Sequence, residues 1–158
     1  QELRGYGVFN EKCAGCHPPP LFTDFSYANI GIPRYENNMA FAADPTFVDH
    51  GLETTVMSDA EDGAFRVPTL RNITHTAPYG HNGYFQNLPF MLEFLNTRDV
   101  GSSQVSTCSR SPGSNARCAW PAPEIAATVT KQVGDLGLSK ANIDDLIAFL
   151  DTLTDQPQ

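Results

Sequence analysis

Five residues near the start of the chain, Cys13-Ala14-Gly15-Cys16-His17, constrain the fold more than any other stretch. C-x-x-C-H is the attachment signature of a c-type haem. In such a site two thiols form thioethers with the haem vinyl groups, and the adjacent imidazole ligates the iron from one face. Two residues between Cys13 and Cys16 match the span of the vinyl groups, and His17 falls beneath the iron. A zinc half-site would use similar residues but needs a second Cys/His pair at suitable spacing. The remaining cysteines, Cys108 and Cys118, are far apart and flanked by Ser, Pro and Gly.

A length of 158 residues fits a single domain spanning 1–158. Hydrophobic residues make up only 41% of the chain, and 12 Gly with 12 Pro point to long connecting loops. A buried haem would supply much of the core that the side chains lack. Asp and Glu number 18 against 10 Lys and Arg, a net charge of −8 that haem propionates would push further negative. This balance disfavours nucleic acid and anionic membranes as partners and slightly favours a basic redox protein. No apolar run approaches the length of a membrane span. No signal-peptide pattern is visible, so a mature or trimmed sequence is expected. Covalent haem with two spare cysteines implies an oxidising compartment, most simply the periplasm.

Residues 2–12 read as a short helix that carries Leu3, Tyr6, Val8 and Phe9 into the haem motif. Gly5 and Gly7 weaken it intrinsically, yet small residues let another helix cross closely. Pro18, Pro19 and Pro20 cannot continue a helix and are expected to lead the chain away from the iron as scaffolding. Residues 21–66 show no helical period, and a loop this long is either functional or wrapped around something such as a haem edge. Asp59, Glu61 and Asp62 lack the EF-hand spacing and read as a solvated loop.

Residues 87–97 form an apolar helix with Asn87 as N-cap and Leu88, Met91, Leu92 and Leu95 on one face. A Ser/Gly/Pro-rich excursion at 99–123 holds Cys108 and Cys118, with nine residues between them. A local disulfide there closes easily and contributes about 2–3 kcal/mol on the chain-entropy account. A weaker helix is expected near 124–132. The clearest helix follows Ser139, with Ile143, Leu146, Ile147 and Leu150 at i, i+3, i+4, i+7, and it should pack across the first helix. The fold class is therefore mainly α: a cytochrome c-like helical domain around one covalent haem, with long irregular loops.

Between these helices lie the remaining chemical candidates. Arg66 and Arg71 are among few cations, and a guanidinium suits a buried propionate, with a surface salt bridge as the competing reading. His75 and His81 sit among Pro78, Gly80, Asn82 and Gly83, where structural roles are commoner than iron ligation.

The order of these segments resembles the bacterial dihaem cytochrome c peroxidase/MauG superfamily. The resemblance rests on Cys13–His17, Asn29–Pro33, Phe65–Asn72, Thr76–Gly83, Asn96–Val100, Leu136–Ser139 and Asp145–Leu150 with Leu153-Thr154. It corresponds to the second, C-terminal haem domain of that family, whose partner is a first haem domain or a redox protein. The resemblance implies that Arg71 lies by a propionate and that His81 stands near the haem edge in a structural or electron-path role. It also implies calcium at the carbonyls of Thr76 and Pro78, although the other calcium ligands would come from a first domain. Family members place a sixth iron ligand, Met or Tyr, near the end of the helix before Asn96-Thr97-Arg98-Asp99. That position here is Leu95, which cannot ligate. Met91 lies one turn earlier on the same face, and Met57 and Met39 on the middle loop are the other thioethers.

Three functions remain open from the residues. The first is an electron-transfer haem domain, closed by His/Met ligation. The second is a peroxidase-like enzyme with an open iron, for which Glu93 is a candidate acid/base that more naturally faces solvent. The third is a haem-bearing docking subunit of a larger redox complex. Non-reducing peptide mapping of the purified protein is expected to recover Cys108 linked to Cys118; free thiols at both positions would remove the disulfide.

Overall fold

The first and last helices cross where Gly5 of α1 (Glu2–Lys12) meets the backbone of α5 (Lys140–Asp151). A Cβ at Gly5 would run into the Asp145 carbonyl, so only glycine permits this approach. The computed structural model describes residues 1–100 and 120–155, so the expected Cys108–Cys118 pair lies outside the described residues. At the crossing, Arg4 donates to both carboxylate oxygens of Asp145, at 2.6 and 2.9 Å, and holds that carboxyl below its ordinary range. Phe9 of α1 is fully buried against Phe149 of α5, with ring centroids 5.0 Å apart, and Leu146 and Leu150 complete the contact. Gly7 faces open space, so of the two helix glycines only Gly5 makes the close approach.

Helix α5 starts where the sequence signals it. Ser139 accepts from Asn142 N, while the Asn142 side chain accepts in return from Ser139 N, a reciprocal cap. Helix α4 (Leu88–Thr97) is capped by Asn87, whose side chain accepts from Phe90 N at 2.9 Å. Its buried surface is wider than a single stripe of Leu88, Met91, Leu92 and Leu95. Phe94, on another face, is fully buried among Phe85 and Trp120.

Between α1 and α4 the chain is mostly irregular, as its lack of period predicts. It contains a two-residue antiparallel ladder, β1 (Tyr27–Ala28) with β2 (Phe65–Arg66), and two short helices, α2 (Met39–Ala43) and α3 (Glu53–Val56). Buried side-chain amides replace the missing ladders. Asn82 donates to Pro33 O, and Asn29 donates to Ile125 O and Thr128 Oγ1 while accepting from Gly31 N.

Two expectations need correction. Residues 18–22 do not lead the chain away from the motif; they turn back, with Asp24 N bonded to Cys16 O at 3.0 Å. Residues 124–132 form no helix. They run beside residues 29–33, with Thr130 N on Asn29 O, Glu124 N on Ile32 O and a bridge between Pro33 and Pro123. The β-branched run Thr128-Val129-Thr130 disfavours helix, and the tertiary bonds take the backbone groups that a helix would use.

The crossing makes a sharp contrast between two like substitutions. Gly5→Ala is expected to destabilise the protein by about 2 kcal/mol through overpacking. Gly7→Ala is expected to be neutral or stabilising by about 0.5–1 kcal/mol through helix propensity. Denaturant unfolding of both variants checks the pair, and equal effects would contradict the close crossing.

Candidate haem-binding site

The Cys13–His17 motif is delivered by the end of α1. Cys13 caps the helix, its N–H bonded to Phe9 O at 2.8 Å, and the chain makes one more turn with Cys16 N and His17 N both donating to Cys13 O. Both thiols are unpaired and half-buried on this turn. Burial pushes the Cys13 thiol up to about 11, with the neighbouring Cys16 adding to the effect. Burial also raises Cys16, followed by the charge of Asp24. The Cys16 sulfur contacts Gln132 Oε1 at 3.6 Å, which brings the 128–134 loop against the motif.

His17 is oriented by its backbone neighbours. Its Nδ1 lies 3.0 Å from Phe22 O, within reach of a bond that the returning turn at 18–22 makes possible. With the proton on Nδ1 donated to that carbonyl, the Nε2 lone pair is left for a metal. Burial lowers the His17 pKa, opposed by the carbonyls of Phe22 and Pro68 and by Asp24, so the neutral, ligating form is favoured. Two thiols on one turn beside an imidazole whose Nδ1 is engaged by a backbone carbonyl fit a covalently attached haem. Among the described residues no three His, Cys, Asp or Glu side chains gather into a metal-holding group, so the zinc alternative finds no partner pair there.

The other predicted residues occupy separate places. Arg71 is exposed and pairs with Asp155 at 2.6 Å, and Asn72 reinforces the pair by donating to the same carboxylate. Its link to the motif runs through the main chain, because Arg71 N donates to Thr69 Oγ1 and Thr69 in turn bonds Leu21 O. His81 stacks flat on Phe65, with centroids 3.6 Å apart and planes 4° from parallel. The solvent lost at that face lowers its pKa, with Asp49 opposing. Met91 and Leu95 are half-buried on α4 and pack against the core. Met39 and Met57 stand at the surface, 86% and 79% exposed. Glu93 is half-buried, Thr76 and Pro78 are exposed, and His75 is exposed at the end of a 3₁₀ turn, Ile73–His75.

Sequence reasoning missed the residue that holds the walls of the site together. The Arg98 side chain is only 4% exposed, and its guanidinium donates to Ile30 O at 2.6 Å, Thr130 O at 2.8 Å and Val133 O at 2.7 Å while pairing with Asp99. Two segments distant in sequence, the stretch at Ile30 and the loop that carries Gln132 to Cys16, therefore close around one planar cation at the end of α4. Glycine at 134 keeps the joint closed, since a Cβ there would sit 2.5 Å from Asp99 Oδ2. Asn96 adds a second joint, donating to Leu138 O and accepting from Leu138 N. The available signal was an arginine directly after an apolar helix in a chain poor in cations.

Comparison with known proteins gives consistent relatives. The chain is 35% identical over 166 residues to the methylamine utilization protein MauG of Paracoccus denitrificans, covering 96% of this chain and 42% of that protein. It is 32% identical over 116 residues to the cytochrome-c peroxidase IdrP1 of a Pseudomonas species, covering 60% of this chain and 31% of that protein. Among solved structures, a point variant of the diheme peroxidase BthA from Burkholderia thailandensis superposes with a TM-score of 0.72 at 28% identity, covering 98% of this chain and 42% of that one. The chain thus spans less than half the length of the relatives it matches. No family model matches it.

Arg98→Lys tests the joint. A single ammonium cannot reach three carbonyls in different directions, so a loss on the order of 3 kcal/mol is expected. Amide hydrogen exchange at Thr130 and Gly134 should accelerate in that variant; unchanged exchange there would contradict the role.

Proposed function

Since the chain belongs to the dihaem cytochrome c peroxidase/MauG superfamily, we propose that residues 1–158 form one haem-bearing redox domain, the electron-transferring half of a periplasmic dihaem oxidoreductase. The observation that carries this reading is His17, whose Nδ1 is engaged by Phe22 O beside two unpaired thiols at attachment spacing. A haem held there supplies reversible one-electron chemistry at its iron.

The residues divide the work among themselves. Cys13 and Cys16 tether the group covalently, so it is not lost when its charge changes. His17 would hold the iron through Nε2, with the Phe22 carbonyl fixing the ring. Met91 is the proposed second donor that would hold the iron, being the half-buried thioether one turn before Leu95, whereas Met39 and Met57 stand at the surface. His81, stacked on Phe65, is a proposed edge residue. Arg71 is a proposed propionate partner whose guanidinium keeps donors beyond its bond to Asp155. The acidic surface suits a basic donor or acceptor. Calcium at Thr76 and Pro78 depends on ligands from a second domain.

A second reading rests on Leu95. Without a thioether donor from this helix, a haem held by His17 would supply peroxidase-like chemistry toward hydrogen peroxide.

Intact mass of the natively purified protein is expected to exceed the polypeptide by one haem, and Cys16→Ala should weaken that attachment. The ferric spectrum is expected to carry the weak near-infrared band of methionine ligation, lost in Met91→Ala and kept in Met57→Ala. A high-spin spectrum that shifts with cyanide or peroxide would instead establish the open-site reading.

A further inference from the structure

The carbonyl that orients His17 is held in an unusual way. Phe22 has φ +53°, a left-handed backbone that a bulky aromatic residue adopts rarely and only when its surroundings impose it. Anchors stand on both sides of this residue. Ahead of it, Thr69 Oγ1 donates to Leu21 O at 2.6 Å, fixing the peptide plane that leads into Phe22. Behind it, buried Thr23 donates through Oγ1 to Val67 O at 2.7 Å. The ring is seated against Phe9 and Phe149. Phe22 O therefore meets His17 Nδ1, and its second lone pair takes a longer bond from Leu70 N at 3.3 Å.

Rotation about the N–Cα bond of Phe22 would relax the left-handed conformation and turn the carbonyl off His17. The anchor on Leu21 O opposes that rotation from the side of the preceding peptide. We infer that Thr69 is a positioning residue for the iron ligand: its hydroxyl locks the Leu21–Phe22 peptide so that the Phe22 carbonyl holds His17 Nδ1. This rests on the reading of His17 as the ligand proposed above. Thr69 acts through one backbone carbonyl, that of Leu21. The same hydroxyl accepts from Arg71 N at 3.2 Å, so the anchor is tied onward through Arg71 and Asn72 to Asp155. A hydrogen bond to Nδ1 strengthens the imidazole as a donor and favours the oxidised iron. Its loss should raise the midpoint potential.

The test uses the haem-loaded protein with Thr69→Val, which keeps shape and removes the hydroxyl, and Thr69→Ser, which restores it. Exchange of the His17 ring Nδ1 proton is expected to accelerate on the order of tenfold in Thr69→Val, as for loss of about one hydrogen bond. At fixed poise, the ratio of reduced to oxidised protein should shift several-fold toward reduced. Thr69→Ser should return both values to those of the native protein. Unchanged ring exchange in Thr69→Val overturns the inference, and so does a Thr69→Ser variant that behaves like Thr69→Val. Haem content by intact mass separates the two levels. A natively purified protein without haem fails the functional reading, while hydroxyl-dependent exchange of the His17 ring in that protein would still support the positioning role.

Discussion

The helix crossing at Gly5 is the contact on which the rest of the architecture depends. It brings the α1 backbone directly onto the Asp145 carbonyl, and the Arg4–Asp145 pair fixes the helices against sliding. Because the attachment turn grows from the end of α1, the position of Cys13, Cys16 and His17 relative to the C-terminal helix is set there. A protein interior packs like a crystal, so a displacement of one methyl group at this crossing would carry through to the motif. Phe9 and Phe149 transmit the same constraint inward to Phe22, and from Phe22 to His17.

Around that helical pair the fold relies on side-chain and main-chain hydrogen bonds in place of regular ladders. Asn29, Asn82, Asn96 and Arg98 are buried polar side chains, and each closes loops that the sequence separates widely. A buried polar group is costly unless satisfied, and here each one is satisfied by carbonyls or amides of another segment. This arrangement suits a domain that has to surround a large flat group. Loops can follow its outline more closely than straight helices can, provided they are fastened at a few strong points.

The legibility of the sequence follows from the same division. Helices α1, α4 and α5 were readable because local signals suffice for them: Asn87 and Ser139 as caps, and the spacing of Leu146, Ile147 and Leu150. The turn at Cys13–His17 stands out in the sequence because the chemistry read from C-x-x-C-H demands adjacent residues. The return of the chain at 18–22 was hidden, since three prolines state rigidity but not direction, and the direction comes from the His17–Phe22 contact. The 124–132 segment was misread as helical because its partner is Asn29, nearly a hundred residues away. Arg98 could not be recognised as buried from composition alone, because nothing local distinguishes a cation that faces solvent from one ringed by carbonyls.

The end of α4 is bonded directly to a segment more than twenty residues further along the chain. Thr97, at the end of α4, accepts from the Trp120 indole at 3.0 Å, and Asp99 N is bonded to Gly134 O at 2.7 Å. The end of α4 and the segment from Trp120 to Gly134 are thus fastened to each other and to the Arg98 joint. The closure entropy of a segment between fixed ends grows only by about 0.6 kcal/mol for each doubling of its length. Two fixed ends therefore cost the chain between them little that depends on its length, and the work of keeping the joint closed falls on Thr97, Trp120, Asp99 and Gly134.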